Sequence, residues 1–248
     1  MLCGNGQSSR IMYNGLAPYV DVECIITENK PSGKIMIQRR MKKLGILKTT
    51  GQLLFLVINK FLAITSKTRI KQLISEYGLI EKDIPKAILR KVDSINSEET
   101  ISLLKKINPD AVVVNGTRII SESVLSSINA PFINTHMGIT PKYRGVHGGY
   151  WALANGDPDN CGVTVHLVDH GVDTGGVLYQ DIIHVEKCDS FNTYPIHQIA
   201  KAIPLMQAAL NDVKGNRINV KQGIFPSHLW YHPTLFEYVK HWLKKGVK

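Results

Sequence analysis

The sequence predicts an α/β fold: a mostly parallel sheet flanked by helices, carrying a helical insertion and a C-terminal helix. Two observations carry that prediction. Short β-branched runs, at 111–115 and 131–134, alternate with stretches whose apolar residues recur every three or four positions, the patterns of buried strands and amphipathic helices. Strands joined through helices pair in parallel by right-handed crossovers, and ligands then gather at the carboxyl ends of the strands. The 248 residues can bury one full core, so residues 1–248 read as one domain.

Each element follows from local chemistry. Residues 1–9 read as the end of a strand turning through Gly4-Asn-Gly-Gln-Ser-Ser9 into a helix over 8–16. That strand is short for a parallel sheet: it is a stub, or its earlier residues lie outside the given sequence. Residues 19–27 are β-branched and apolar enough for a second strand. From 33 to 85 the periodicity is helical, over 34–44, 52–65 and 67–77, with breaks at Gly45, Gly51 and Gly78. This helical insertion reads first as packing, with a cover over a substrate site or an oligomer surface as the alternatives; a homodimer stays open. A helix over 97–107 precedes the strand 111–115, and a helix over 122–127 precedes the strand 131–134. Strands at 163–168 and 177–185, a helix over 194–213 and a basic helix over 235–245 complete the chain. Residues 186–248 thus read as a helical extension.

Composition excludes several classes. The net charge is +10, which invites a nucleic-acid reading. Much of it sits in 34–48, where Arg39, Arg40, Lys42 and Lys43 crowd together, and in the C-terminal tail; such runs read as solvated helix faces, so nucleic acid is not expected as a partner. Cys3, Cys24, Cys161 and Cys188 show no Cys-x-x-Cys spacing, which favours free thiols in a reducing cytoplasm over disulfides or zinc. His166, His170 and His184 make no coherent ligand set with a nearby carboxylate pair, so no metal is expected. No basic leader with an apolar core opens the sequence, so export is not expected. The apolar run 53–64 is too short to span a bilayer and contains Lys60.

The chemistry concentrates in two stretches. An apolar strand runs into Asn134 and His136; a loop with Pro141, Tyr143, Arg144 and Gly145 follows; a second strand ends in a glycine-boxed Asp173. Residues i and i+2 of a strand share a face, so the Asn134 amide and the His136 imidazole stand side by side. Acyl transfer needs such donors for the oxyanion of its tetrahedral intermediate, and Asp173 can orient the imidazole or accept a proton. At the amino end, the glycine loop before a helix can cradle a phosphate on backbone amides, with a plain tight turn as the alternative.

These residues resemble one family, the folate-dependent formyltransferases. The family pattern is Asn-x-His, a Leu-Pro-x-(Phe/Tyr)-(Arg/Lys)-Gly-like loop, then Asp-x-Gly-x-Asp-x-Gly. Asn134, His136, Pro141, Tyr143, Arg144, Gly145, Asp169, Gly171, Asp173 and Gly175 fall on it in order, and the resemblance is strongest over 108–186. It implies a Rossmann-like formyltransferase fold and transfer of a formyl group from 10-formyltetrahydrofolate to a primary amine of a small molecule. Asn134, His136 and Asp173 would be the catalytic residues. Gly116, Thr117, Arg118, Ile119 and Ile120, with Asp169 opposite, would line the pterin pocket, largely by backbone. It also implies a cis Thr140–Pro141 bond, and substrate binding by Gln7, Ser8 and Ser9, since the equivalent loop of the ribonucleotide-using relatives grips the acceptor's phosphate.

The chain departs from the pattern after Gly145, continuing Val-His-Gly-Gly-Tyr-Trp151. That puts His147, Tyr150 and Trp151 where an acceptor would approach, and makes Arg144, His147 and Tyr150 the substrate-binding candidates of this loop. The segment after Val185 is too short and too helical for the C-terminal barrel (OB-type) of methionyl-tRNA formyltransferases. The preferred acceptor is therefore an amino sugar linked to a nucleotide. Ribonucleotide or methionyl-tRNA acceptors, or water in a formyltetrahydrofolate hydrolase, remain as alternatives, and an inactive folate- or nucleotide-binding protein is the remote one.

Overall fold

The computed structural model describes residues 1–28 and 33–248. In chain order the elements are β1 (Leu2–Cys3), α1 (Gln7–Leu16), β2 (Ile25–Glu28), α2 (Gly33–Leu44), α3 (Ile46–Thr65), α4 (Lys67–Glu76), β3 (Leu89–Val92), α5 (Glu98–Ile107), β4 (Val112–Asn115) and α6 (Glu122–Leu125). There follow β5 (Phe132–His136), β6 (Arg144–Gly145), α7 (Gly148–Ala154), β7 (Gly162–Leu167), β8 (Val177–Ile182), α8 (Tyr194–Lys214), β9 (Leu229–Trp230) and α9 (Leu235–Lys245). Seven strands form one sheet in the order β3-β2-β1-β4-β5-β7-β8, parallel as far as β5 and antiparallel from β5 to β8.

Strand order reverses at β1/β4, which opens a crevice at the carboxyl ends of the central strands. One apolar cluster joins the sheet to α1 and α8 through Ile11, Ile133, Val165 and Met206; another joins it to α5 through Ile26, Leu104 and Val114. Sheet burial on both faces explains the unbroken Val-Val-Val run of β4. Caps set the helix ends. The Ser97 hydroxyl accepts from the Thr100 amide at the start of α5, Glu98 and Glu99 occupy its first turn, and Lys105 and Lys106 its last, all matching the helix dipole. At α9, Thr234 and Glu237 form a reciprocal capping box.

Several boundaries differ from the sequence reading, each for a tertiary reason. The strand expected over 19–27 is only Ile25–Glu28; Tyr19 and Val20 donate back to the Leu16 carbonyl, closing α1, and Tyr19 is 70% exposed. β3 is an edge strand with exposed Arg90 and Lys91, so its sequence lacks an apolar stripe. Gly51 does not break α3: a Cβ there would lie 2.9 Å from the Thr234 side chain, so the small residue serves close packing. The 186–248 segment is not purely helical, since β9 pairs in parallel with β6.

The helices of 33–76 are tied to the rest of the fold. Phe55 of α3 is fully buried in an aromatic cluster with Tyr150, Trp151, Phe191 and Tyr238, its ring centroid 4.9 Å from Phe191 and 5.0 Å from Tyr238. Arg69 of α4 meets the buried Asp189 at 3.0 Å, and Tyr77 Oη lies 2.7 Å from His197 of α8. α3 is longer than the apolar run read from the sequence, and by length and composition alone it could cross a membrane. One of its faces is committed to the core.

Candidate active site

β5 delivers Asn134 and His136 at its carboxyl end, and the loop between β7 and β8 brings Asp173 onto them. Asp173 sits in the left-handed region, at φ 51°, which Asp tolerates better than most side chains. Its Oδ2 lies 3.2 Å from His136 Nδ1 and accepts the Gly145 amide at 2.9 Å. Its Oδ1 lies 3.5 Å from Asn134 Nδ2 and 3.6 Å from His166 Nε2. The three residues read as catalytic from the sequence therefore converge. Burial by itself would raise the Asp173 pKa, but His136, His166 and the Gly145 amide together hold it below the usual carboxylate range.

His136 is buried and clamped at both nitrogens. Nε2 lies 2.7 Å from the Tyr143 carbonyl oxygen while Nδ1 faces Asp173. Both partners are acceptors, so both contacts are satisfied at once only when the ring carries both protons. Burial pushes the His136 pKa below the usual histidine range, against the pull of Asp173 and the Tyr143 carbonyl. A neutral ring carries a single N–H and serves only one of these two acceptors at a time. The contact between Nδ1 and Oδ2, at 3.2 Å, is the longer of the two and has room for the proton that a neutral ring lacks. Gly138 makes the clamp possible, because a Cβ there would come 2.8 Å from His136 Nε2 and press on the Tyr143 carbonyl.

His166, on β7, belongs to the same cluster, and sequence reading missed it. It pairs in register with Asn134 across the antiparallel ladder. Its Nδ1 lies 2.7 Å from the Leu167 carbonyl, which assigns the proton to Nδ1 and leaves Nε2 to accept from Asn134 Nδ2 at 3.1 Å. One proton of the Asn134 amide is therefore committed. The other faces Asp173 at 3.5 Å, the outer limit of a hydrogen bond, and is the donor most easily surrendered to an incoming oxygen. A polar histidine inside the apolar run Val163-Thr-Val-His-Leu was the available signal. Thr164 and Gln180 were also missed: Thr164 Oγ1 donates to the Gly138 carbonyl at 2.7 Å, and Gln180 Nε2 donates to the Thr140 carbonyl at 2.8 Å. Together they brace the loop that contains the cis Thr140–Pro141 bond.

The remaining expected site residues separate. Arg144 Nη1 donates to the Val172 carbonyl at 2.8 Å, which holds the Asp173 loop, while its buried Nε has no hydrogen-bond partner among the described residues. Tyr150 is turned inward: it is 2% exposed within the aromatic cluster, because the Gly148-Gly149 pair starts α7 instead of extending a loop. His147 points into that cluster, its ring 4.2 Å from Phe191 and its Nε2 3.0 Å from His232 Nδ1. Burial drives His147 down to about 3 and His232 down to about 4, so two neutral rings share one N–H···N bond.

At the amino end, Ser9 is buried and Ser9 and Ser8 face Asn115 Nδ2 at 3.3 and 3.4 Å, while Gln7 Nε2 donates to Glu81 at 2.7 Å. None of these three side chains is turned wholly outward. The α1 start has no side-chain cap, so its first amides stay available. Gly116 adopts φ 70° at the end of β4; Thr117 Oγ1 donates to the Arg118 carbonyl; Arg118 pairs with Glu28 at 2.6 Å. Ile119 is 58% exposed, whereas Ile120 is core. Asp169 accepts from Gly171 N at 3.0 Å and Thr174 Oγ1 at 2.6 Å, closing its own turn. No group of three or more metal-ligating side chains occurs among the described residues. A cavity of about 620 Å³ opens at the opposite, amino ends of the strands, lined by Leu2, Tyr19, Asp110 and Lys214, away from this cluster.

Comparison with known proteins agrees with the geometry. Residues 58–202 match the family described as formyl transferase. The methionyl-tRNA formyltransferase of Finegoldia magna is 38% identical over 129 residues, covering 52% of this chain and 37% of that protein. The chain thus spans less than half the length of the curated relatives it matches. A sugar N-formyltransferase from Shewanella sp FDAARGOS_354 superposes with a TM-score of 0.56 at 15% identity, covering 92% of this chain and 74% of that one. An N-formyltransferase from Helicobacter canadensis, solved with folinic acid and dTDP-3-aminofucose, superposes with a TM-score of 0.54 at 14% identity, covering 92% and 69%. At such identities the likeness to solved structures is one of fold. The family match takes in more than half of the chain, including Asn134, His136 and Asp173, and the chain belongs to the formyl transferase family.

Proposed function

We propose that this protein transfers a formyl group from 10-formyltetrahydrofolate to the primary amine of a small molecule, with a nucleotide-linked amino sugar as the preferred acceptor. The observation that carries the proposal is the meeting of Asn134, His136 and Asp173 at the carboxyl end of β5. The second Asn134 N–H would be drawn from Asp173 onto the formyl oxygen as negative charge develops there. The amine nitrogen would bond to the formyl carbon, and its proton would enter the gap between His136 Nδ1 and Asp173 Oδ2. Collapse would break the carbon–nitrogen bond to the folate, whose nitrogen leaves with a proton. Most of the acceleration would come from positioning and preorganised donors.

The residues present fit a folate donor. The 116–120 strip and the 168–173 loop are neighbours, since Ile120 and Val168 share one apolar cluster, and Ile119 offers an exposed apolar side chain. The Helicobacter protein's folinic acid and nucleotide sugar support the donor and the acceptor class. Transfer to methionyl-tRNA is the second reading, favoured by the identity to methionyl-tRNA formyltransferases. Tetrahydrofolate release, followed with a nucleotide-linked amino sugar, with methionyl-tRNA and with neither, separates these readings. Release only with the sugar is expected. Release only with tRNA would replace the acceptor, release without any amine would make the protein a hydrolase, and no release would leave a binding protein.

A further inference from the structure

The family chemistry leaves the outer face of α3 unexplained. Thr49, Gln52 and Phe55 are buried along its inner face. On the opposite face, at helical spacing, Leu54, Val57, Phe61 and Ile64 are all more than half exposed, Phe61 at 64%, and Leu47 at the start of the helix is 90% exposed. A stripe of this kind is far more apolar surface than a single helix ordinarily leaves in water. α2, which packs against α3, has no buried residue, and α9, also in contact with α3, keeps Phe236 and Leu243 outward. Residues 33–65 contain seven Lys and Arg and no Asp or Glu.

We propose that the α2–α3 face, flanked by α9, is a docking surface for an anionic lipid bilayer, on which α3 lies flat with its apolar stripe in the headgroup boundary. An amphipathic surface that combines large apolar side chains with clustered Lys and Arg binds such an interface by area and by charge together. The inner face decides between lying on the membrane and crossing it. Gln52 Nε2 donates to the His232 carbonyl at 2.7 Å, and the Asn59 and Asn192 amides exchange hydrogen bonds at 2.8 and 3.3 Å. A helix held along one side by its own domain can rest in an interface without entering it. Charge decides between lipid and a second copy of the chain, since symmetric pairing would press two carboxylate-free basic surfaces together. Nucleic acid would engage the cations and leave the apolar stripe in water.

The test is co-sedimentation of the purified full chain with vesicles of phosphatidylcholine alone and of phosphatidylcholine with about one-third phosphatidylglycerol. Binding roughly tenfold tighter to the anionic vesicles, weakened by salt, is expected. Phe61→Asp should abolish it, and Lys34→Glu combined with Lys42→Glu should lower it by about tenfold or more. These side chains are exposed, so far-UV circular dichroism and Tm should stay close to those of the parent; if Phe61→Asp fails to fold, the lysine variant alone decides. Failure to bind anionic vesicles, binding indifferent to both variants, or a concentration-dependent dimer that Phe61→Asp dissociates without any vesicle binding would each overturn the proposal. None of these readouts depends on formyl transfer, so the activity and the docking surface stand or fall separately.

Discussion

Asp173 meets Asn134, His136, His166 and the Gly145 amide, and Arg144 ties down the Val172 carbonyl just before its left-handed backbone. Asp173→Asn keeps the size of the side chain but removes its capacity to take a proton. If the proposed formyl transfer holds, the substitution should lower kcat by roughly a hundred- to ten-thousand-fold with little change in the Michaelis constant for the folate donor, because the group would act in the transition state. A near-parental kcat in steady-state assays would remove Asp173 from the chemistry. The pair of His147 and His232 makes a different demand. Both titrate near 6.5 when unfolded and near 3 and 4 when folded, so the unfolded chain binds more protons between those values. Their contribution to stability is complete above about pH 6.5 and is lost as pH falls toward 4, at roughly 1.4 kcal/mol per pH unit for each group. Urea midpoints measured from pH 7 to pH 4.5 should fall steeply, and His232→Gln should flatten that slope.

Among the elements, α3 was legible as a helix but not in its role. Its periodicity is clear, yet Gly51 looked like a break and only Thr234 on the facing segment explains why it is not. Phe55→Ala removes the buried ring between Phe191 and Tyr238 and should cost about 3–5 kcal/mol, lowering Tm by roughly 10 °C. A melt shifted by less than a degree or two would mean that the 33–76 helices are an appendage and not part of the core. β3 and α7 were not legible at all. β3 is an edge strand, where one face and the backbone meet water, so Leu-Arg-Lys-Val shows no alternation worth reading. α7 starts with two glycines, which sequence rules assign to a loop; Gly148 packs against Gly138 and Gly149 against Gln198, contacts made with residues distant in the chain.

At the scale of the molecule, the aromatic cluster joins α3, α7, α8 and α9 into one body beneath the site, and Trp151 and Trp230 stack within it at 4.7 Å. Unfolding of the helical segment and of the sheet should therefore coincide. Tryptophan fluorescence and far-UV circular dichroism should give superimposable urea transitions; a separate early fluorescence transition would show that the cluster opens on its own.

Local chemistry by itself set the alternating architecture and singled out Asn134, His136 and Asp173 as candidates, because strand periodicity and glycine-boxed turns are written over a few neighbouring residues. The partners of those side chains were decided elsewhere. Register across the β5–β7 ladder chose His166 as the acceptor for Asn134, and the turn after β5 set the Tyr143 carbonyl against His136. The start of α7 sent His147 and Tyr150 inward to the aromatic cluster. Each of these depends on which distant backbone arrives alongside, a quantity fixed by packing the whole sheet and its helices at once and by no single stretch of sequence.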